Sequence, residues 1–211
     1  MNDQTFIPQG SPAWIKQRLG CATGSRMFDL TAKTKTGYAA SRAAYVRELA
    51  YERLTGRAVE RFVTREMQWG VDNEPAAKTA YALVTGCDVA PAPFVPHPAV
   101  PMSGASPDGF VSHAGLIEIK CLTSFNAMDI LIEDKIPEKY LPQCHWAMAC
   151  TGRLWCDFVS FDPRLPPGMQ IWIKRVERDD DMIAKLVLEV LGFLEEVDKT
   201  VDFLLAKYPS P

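Results

Sequence analysis

Three residues with the spacing Asp-x9-Glu-x-Lys are of the types that metal-assisted chemistry needs: Asp108, Glu118 and Lys120. Because side chains alternate along a strand, Glu118 and Lys120 should share one face while Ile117 and Ile119 enter the core. Asp108 lies in a Ser-Pro-Asp-Gly turn before the preceding strand, where a hairpin brings it against Glu118. Two carboxylates at about 4 Å repel each other, an arrangement that a divalent cation offsets. Oxygen ligands of this kind suit Mg²⁺ or Mn²⁺.

A third carboxylate, Glu74, follows the Trp-Gly pair at 69–70 early in a predicted helix. Three acids and a lysine suit hydrolysis of a phosphodiester, because metal ions polarise the phosphoryl oxygen and lower the pKa of water while Lys120 orients or deprotonates the nucleophile. An exposed strand bearing Glu and Lys is common by itself. The fixed turn and the flanking isoleucines favour a site, so we expect the side chains at 74, 108, 118 and 120 to converge on one solvent-accessible pocket.

Hydrophobic periodicity and capping signals predict the elements that must position these residues. Helices are expected at 11–19, from Thr23 and Ser25 onward, over Ala39–Leu54, from Thr64 to Gly86 with a possible break at Gly70, over Tyr140–Cys150 and from Asp179 to Leu204. Strands are expected at 109–113, 115–121, Trp155–Phe161 and Gln170–Val176. This order indicates a mixed α/β fold. The apolar stripe of the long C-terminal helix is typical of packing on its own domain.

The length of 211 residues favours one domain, 1–211, and 47% hydrophobic with 23% charged residues excludes disorder. The net charge of −3 is not that of an obvious polycation. Charge is nevertheless polarised: residues 1–70 carry 11 Lys and Arg against 6 Asp and Glu, and residues 71–173 carry 6 against 11. A basic third beside an acidic middle suits an anionic ligand next to a carboxylate-bound metal, although uneven surface charge explains it equally well.

The six cysteines form no CxxC pair, so neither a zinc site nor an iron–sulfur cluster is indicated. No stretch approaches the roughly 18 apolar residues of a membrane span, and the start, MNDQTFIPQG, lacks the order of a signal peptide. These features predict a protein of a reducing cytoplasm, with no membrane partner.

The order of several short motifs resembles the lambda exonuclease (YqaJ-type phage recombinase) family of the PD-(D/E)xK nuclease superfamily, over most of the chain. The motifs are Ala13-Trp14, 16–20, 23–25, Trp69-Gly70 with Glu74, 106–109, 118–121, Tyr140 with Gln143, 161–164 and 177–179. The resemblance implies a restriction-endonuclease-like core with a central mixed sheet flanked by helices. It also implies Mg²⁺-dependent 5′-to-3′ digestion of one strand of duplex DNA by a ring-shaped homotrimer, a single-strand annealing protein as partner, and a phage or prophage protein in a bacterial host cell.

By resemblance, Asp108 and Glu118 match metal ligands, with the Ile119 carbonyl as an additional ligand. Lys120 matches the catalytic lysine, and Glu74 matches the helical acid that helps to hold a second metal ion or the attacking water. We therefore expect Mg²⁺, for which Mn²⁺ can substitute, with two ions per active site.

Arg18, Ser25 and Gln143 match the family positions that grip the 5′-phosphate. A guanidinium offers a charged fork, and a hydroxyl near a helix amino terminus joins backbone donors to an anion. Met67 matches an apolar wedge that helps to part the strands. Lys35, in a short basic loop, reaches a DNA groove or is simply solvated.

Together with the candidate site residues, the resemblance therefore implies a processive 5′-to-3′ exonuclease on duplex DNA ends that releases 5′-mononucleotides and leaves a 3′ single strand for recombination by strand annealing. Two alternatives stay open. One is an endonuclease of the same fold, since the metal site cannot tell an end from an interior bond. The other is a non-catalytic DNA-binding or assembly protein.

Overall fold

A five-stranded mixed β-sheet with helices on both faces organises the chain, and the computed structural model describes residues 7–60 and 62–209. The α-helices are α1 (Pro12–Arg18), α2 (Met27–Thr31), α3 (Ala40–Thr55), α4 (Arg65–Thr85), α5 (Ser124–Glu133), α6 (Leu141–Thr151) and α7 (Asp180–Lys207). The strands are β1 (Ala22–Thr23), β2 (Lys33–Thr34), β3 (Gly37–Tyr38), β4 (Val89–Ala90), β5 (Val95–Pro96), β6 (Ser103–Ala105), β7 (Gly109–Val111), β8 (Gly115–Lys120), β9 (Trp155–Phe161) and β10 (Ile171–Glu177). Short 3₁₀ turns lie at Gly24–Arg26, Glu138–Tyr140 and Pro167–Met169.

The large sheet has the strand order β10-β9-β8-β7-β4. β8 pairs parallel with β9 and antiparallel with β7, so the strand that carries Glu118 and Lys120 lies at the centre. Gly109 pairs with Ile117, which places Asp108 beside the carboxyl-terminal half of β8. A second sheet joins β1, β6 and β5, and β2 with β3 forms a separate hairpin. The predicted hairpin of β7 and β8 is thus confirmed.

Different helices cover the two faces of the sheet. On one face α6 packs against β9 and, through α2, α3 and α7, builds the larger hydrophobic core around Trp146 and Phe158. On the other face α4 contributes Ala77 and Tyr81 to a smaller core with Ile117. The alternation of β8 explains this division, because consecutive residues face opposite sides. Leu116 lies in the larger core, as the period of two requires.

Side-chain caps begin the helices that frame the sheet. Ser11 accepts a hydrogen bond from the Trp14 amide at 3.2 Å, Thr64 accepts one from the Met67 amide at 3.2 Å, and Asp179 accepts one from the Met182 amide at 2.9 Å. Each bond satisfies an amide that the first turn leaves unpaired. The predicted starts of α4 and α7 are therefore confirmed.

Helix α4 runs without interruption through Gly70, so the possible break there does not occur. A glycine within a helix costs only about 1 kcal/mol relative to alanine. Packing of Ala77 and Tyr81, both almost fully buried, outweighs that cost over a helix of 21 residues. The continuous helix gives Glu74 a fixed position relative to the sheet. No helix within the described ranges is long and apolar enough to span a membrane.

Candidate active site

Asp108 is anchored to the backbone of β8 at the point where β7 begins. Its amide donates to the Ile117 carbonyl at 3.3 Å, and its Oδ2 accepts a hydrogen bond from the Ile119 amide at 2.6 Å. The turn residue is therefore held against the strand that carries Glu118. The hairpin geometry expected from the sequence brings these residues together as predicted.

Glu118, Lys120 and Gln143 form one hydrogen-bonded group on the α6 face of the sheet. Glu118 Oε1 accepts from Lys120 Nζ at 2.7 Å and from Gln143 Nε2 at 2.5 Å. Lys120 Nζ also donates to Gln143 Oε1 at 3.2 Å. Gln143 contacts the acid and the lysine directly, since α6 lies above the strand. Glu118 is only 2% exposed, so its carboxylate depends on these donors.

Burial and neighbouring charges perturb the two titratable groups beside Glu118. The pKa of Asp108 is raised well above its ordinary value, first by burial and then by the charge of Glu118, with a smaller contribution from Glu74. Burial by itself lowers the pKa of Lys120, but the charges of Glu118 and Asp108 outweigh it and raise that pKa. Lys120 is therefore a cation, and the negative charges of Asp108 and Glu118 repel each other.

Glu74 approaches from the other face of the sheet. It lies on α4 one turn before Ala77, which packs against Ile117, and its Oε1 is 2.7 Å from Lys78 Nζ. Its charge nevertheless acts on Asp108 and on the thiol of Cys121, whose pKa burial and the Glu74 charge raise to about 12. Glu74 is thus within electrostatic range of the site, but it does not line the same cleft as the other three predicted residues.

The residue set around Asp108 and Glu118 fits a hard divalent cation with several water ligands. Asp108 Oδ1 and Glu118 Oε2 accept no hydrogen bond from any described residue. A divalent cation bound by these oxygens would offset the repulsion between the two carboxylates. The amide of Ile119 points to Asp108, and a strand residue directs its N–H and C=O to the same side. The Ile119 carbonyl therefore faces the same side of β8 as Asp108. Within residues 7–60 and 62–209, no three His, Cys, Asp or Glu side chains group closely enough to hold a metal ion by themselves.

Arg18 and Ser25 share a cleft of about 170 Å³ with the acidic residues, which we call the Asp108 cleft. It is lined by Gln9, Trp14, Arg18, Ser25, Ser106, Asp108, Glu118, Ile119, Lys120 and Gln143. The cleft thus joins a carboxylate-rich end to an end with a guanidinium and a hydroxyl. Arg18, Ser25 and Gln143, predicted together, do lie together.

Arg18 is held by Trp14 of the same helix, and α1 is in turn held by contacts with residues distant in the sequence. The guanidinium carbon of Arg18 lies 3.8 Å from the centroid of the Trp14 ring, and Trp14 Nε1 donates to Ser106 Oγ at 3.1 Å. Gln9 Nε2 donates to the Pro107 carbonyl at 2.8 Å. These bonds tie α1 and the segment before it to the turn that carries Asp108.

The turn after α1 depends on Gly20, whose φ is +70°. Its amide donates to Glu52 Oε2 at 2.8 Å, and its carbonyl accepts from Arg53 Nε at 3.1 Å. A Cβ at this position would lie 2.8 Å from the Arg53 side chain. The left-handed backbone and the close contact both require glycine, which brings the chain back toward Ser25.

Lys35 and Met67 do not line the Asp108 cleft. Lys35 is exposed in the turn of the β2–β3 hairpin, and that hairpin is held to α7 by hydrogen bonds of 2.7 Å from Lys33 and Tyr38 to Glu189. Met67 lies in the first turn of α4 and is 49% exposed. The structure therefore places both apart from the acidic group.

The sequence interpretation missed the supporting roles of Gln9 and Trp14. Trp14 precedes Arg18 by four residues, and helical side chains four apart are neighbours, so a cation over an aromatic ring was detectable. The Gln9 contact spans 98 residues and leaves no local signal.

The protein has a central mixed sheet, helices on both faces, and an Asp, a Glu and a Lys gathered at the carboxyl-terminal end of the central strand β8. These features define a restriction-endonuclease-like α/β protein. Known proteins agree with this class. Residues 13–154 match the YqaJ-like viral recombinase domain. The chain belongs to the YqaJ-like viral recombinase family.

Solved structures extend the similarity to most of the chain. An alkaline exonuclease (LHK-Exo) from Laribacter hongkongensis is 41% identical, with a TM-score of 0.87 over 93% of this chain and 97% of that one. The same enzyme in complex with dAMP has a TM-score of 0.88, also at 41% identity, with the same coverage. A phage-related exonuclease from Haemophilus somnus 129PT shares the fold, with 16% identity and a TM-score of 0.71 over 87% of this chain and 96% of that one. No match was found among curated proteins.

Proposed function

We propose that this protein is a Mg²⁺-dependent, processive 5′-to-3′ exonuclease that acts on duplex DNA ends, releases 5′-mononucleotides and leaves a 3′ single strand for strand annealing. Family membership and the similarity to LHK-Exo support a nuclease role on DNA. One observation carries the finer proposal: the Asp108 cleft joins the acidic pair and Lys120 to Arg18 and Ser25.

The two ends of this cleft suit two phosphates of one strand. Arg18 and Ser25 offer a guanidinium and a hydroxyl for a terminal 5′-phosphate, which an interior cut would not need. Asp108 and Glu118 would face the next phosphodiester along the chain. Because both ends belong to one cleft, a bound terminus would set which bond is cleaved.

Asp108, Glu118 and the Ile119 carbonyl would hold Mg²⁺, for which Mn²⁺ can substitute. When bound, the cation polarises the phosphoryl oxygen and lowers the pKa of water. Lys120 donates a charged hydrogen bond to the attacking water or to a phosphoryl oxygen, and so stabilises charge as it develops. The side-chain amide of Gln143 fixes the positions of Lys120 and Glu118 by hydrogen-bonding to both. It also presents its side chain at the cleft, where it can contact the 5′-phosphate.

Glu74 would act at the rim of this arrangement, since its charge already reaches Asp108 from the α4 side. Released from Lys78, its carboxylate would orient water or help to hold a second ion. We propose two ions per site on this basis.

A ring-shaped homotrimer around DNA would account for processivity in a chain of net charge −3. A closed ring retains DNA by topology, so that bulk positive charge is not needed. Met67 would then serve as the apolar wedge and Lys35 as a groove contact. The 3′ strand would pass to a single-strand annealing protein, in the cytoplasm of a bacterial host that carries the phage or prophage.

Digestion of linear and covalently closed circular duplexes tests the proposal. With Mg²⁺, the purified protein should convert linear duplex to mononucleotides and single strands while the closed circle stays intact. Labels at each end of the linear duplex report polarity, because a 5′ label should leave first. Cutting of the circle would contradict the exonuclease proposal and favour the endonuclease of the same fold.

A Glu118→Gln variant separates an enzyme from a non-catalytic DNA-binding protein. The amide keeps the shape of the side chain but removes one anionic ligand. We expect digestion to be lost while duplex binding persists, as measured by fluorescence anisotropy. Undiminished digestion by this variant would show that the chemistry lies elsewhere.

A further inference from the structure

A second pocket opens directly beside the Asp108 cleft. We call it the Phe28 pocket; its volume is about 210 Å³, and it shares Ser25, Lys120 and Gln143 with the cleft. Phe28, Lys139 and Tyr140 line this pocket but not the Asp108 cleft. The pocket therefore touches both the proposed 5′-phosphate end and the proposed hydrolytic end.

Phe28 presents an unused aromatic face at this position. The residue follows Ser25 by one turn, in the short helix α2, and is 49% exposed. No ring or cation lies over it among the described residues. A half-exposed ring in a pocket beside a hydrolytic site is well placed to stack on a flat ligand.

We propose that the Phe28 pocket receives the base of the 5′-terminal nucleotide, which stacks on the Phe28 ring. The inference rests on the proposed function, because it requires that a DNA strand end in the Asp108 cleft. With the 5′-phosphate at Ser25 and the first phosphodiester at Lys120, the terminal nucleoside lies between these two residues. Its base must leave the backbone toward a space that borders both residues, and the Phe28 pocket does so.

A larger neighbouring pocket, of about 360 Å³, is the competing location for the base. It borders Trp14, Arg18 and Ser25 but not Lys120, so it touches only the 5′-phosphate end. The Trp14 ring already carries the Arg18 guanidinium at 3.8 Å. Glu52, in the same pocket, binds the Gly20 amide. Tyr45, the other aromatic residue of this pocket, carries the Arg26 guanidinium at 4.2 Å. Both aromatic rings of this pocket are therefore already engaged by an arginine, whereas Phe28 is not.

The other side chains of the Phe28 pocket suit an uncharged base of any identity. Lys139 Nζ and Lys120 Nζ lie 4.9 and 5.3 Å from the Tyr140 ring centroid, so cations cover that ring. Asp29 is paired with Arg26, whose Nε is 2.5 Å from Asp29 Oδ2. Because every base has a π-face, stacking on Phe28 tolerates all four bases, as sequence-independent digestion requires.

Two changes test whether the terminal base stacks on Phe28. One removes the base from the substrate, and the other removes the Phe28 ring from the protein. The substrates are 5′-phosphorylated duplexes with either a normal or an abasic (tetrahydrofuran) 5′-terminal residue. For the parent, kcat/KM for release of the first nucleotide should fall about 5-fold or more on the abasic end, which corresponds to about 1 kcal/mol of stacking. Phe28→Ala should lose a similar factor on the normal end and nothing further on the abasic end.

Matched variants separate stacking from loss of structure. Phe28→Trp should keep the preference for the normal end, since an indole also stacks. Phe203→Ala removes a 60% exposed phenylalanine from α7, far along the chain, and should leave both rates unchanged. With 2-aminopurine as the terminal base and Ca²⁺ in place of Mg²⁺, fluorescence should be quenched by the parent and by Phe203→Ala but not by Phe28→Ala.

The outcomes distinguish this inference from the proposed function. If the parent degrades no linear duplex in Mg²⁺, the proposed function fails and the inference fails with it. If the parent digests normal and abasic ends at equal rates, only the base pocket is refuted. An equal loss on both ends in Phe28→Ala, or unchanged 2-aminopurine quenching, would also refute it and favour the Trp14 side.

Discussion

Replacement of Arg18 by alanine tests the end of the cleft that should hold the 5′-phosphate. The guanidinium lies over the Trp14 ring at 3.8 Å, and Trp14 is itself bound to Ser106, so the charged group is oriented before any ligand arrives. A preorganised fork donates two parallel hydrogen bonds to a phosphate. Arg18→Ala should therefore abolish a preference for phosphorylated ends while leaving the acidic group intact.

The expected magnitude follows from the kind of bond that is lost. A hydrogen bond to a charged group contributes about 1.5–3 kcal/mol, and each 1.4 kcal/mol is a factor of ten, so the effect is about 10- to 150-fold. The parent should degrade 5′-phosphorylated duplex faster than 5′-hydroxyl duplex by this factor. Arg18→Ala should degrade both at the slower rate. Arg18→Lys should recover only part, because an ammonium keeps the charge but neither the fork nor the stacking.

Single-turnover digestion of duplexes that differ only in the terminal phosphate measures this effect. Arg47→Ala is the matched control, since Arg47 is an exposed arginine of α3 and does not line the cleft. It should retain the preference. Equal rates on the two ends in the parent, or a preference that survives Arg18→Ala, would refute the assignment of Arg18.

Three further predictions concern the chemistry and the fold. Lys120→Ala should slow digestion about 100- to 1000-fold, the usual effect of removing one electrostatic contact to the transition state, while binding measured by anisotropy changes little; near-parental rates would exclude that role. EDTA should stop digestion and either Mg²⁺ or Mn²⁺ should restore it, so activity that persists after exhaustive chelation would contradict the metal assignment. Tyr81→Phe removes a 2.8 Å hydrogen bond to buried Asp157, which then keeps only the Arg175 pair, so urea unfolding should show a loss of about 1.5–3 kcal/mol. Tyr51→Phe, at a ring 47% exposed, should show almost none.

The Tyr81 prediction also concerns how α4 is held. Its hydroxyl joins the helix to β9, and Arg175 joins β9 to β10 through the same carboxylate. Glu74 lies two turns earlier on that helix, so loosening of this contact should affect the rim of the site before it affects Asp108. Digestion by Tyr81→Phe at a temperature where it stays folded should therefore remain measurable.

Local patterns in the sequence predicted the helices other than α5, strands β7 to β10 and the hairpin; they predicted neither α5 nor the short strands β1 to β6. Caps at Thr64 and Asp179, a period of two in β8 and a Ser-Pro-Asp-Gly turn each involve residues within about ten positions of one another. Such short-range preferences act in the same way wherever the segment lies. The juxtaposition of Asp108 with Glu118 could therefore be derived before any coordinates.

Patterns along the chain thus predicted most of the helices, strands β7 to β10, the face that Glu118 and Lys120 share and, through the order of the motifs, the family. Packing in three dimensions was needed to show that Gln143 binds Glu118 and Lys120, that Trp14 is tied to Ser106, that Glu74 arrives from the opposite face and that Lys35 stays apart. Local patterns do not reveal these contacts because they join residues far apart in the chain; Trp14 and Ser106, for example, are 92 residues apart. Their geometry follows from how helices pack on two faces of a sheet, which no local pattern encodes.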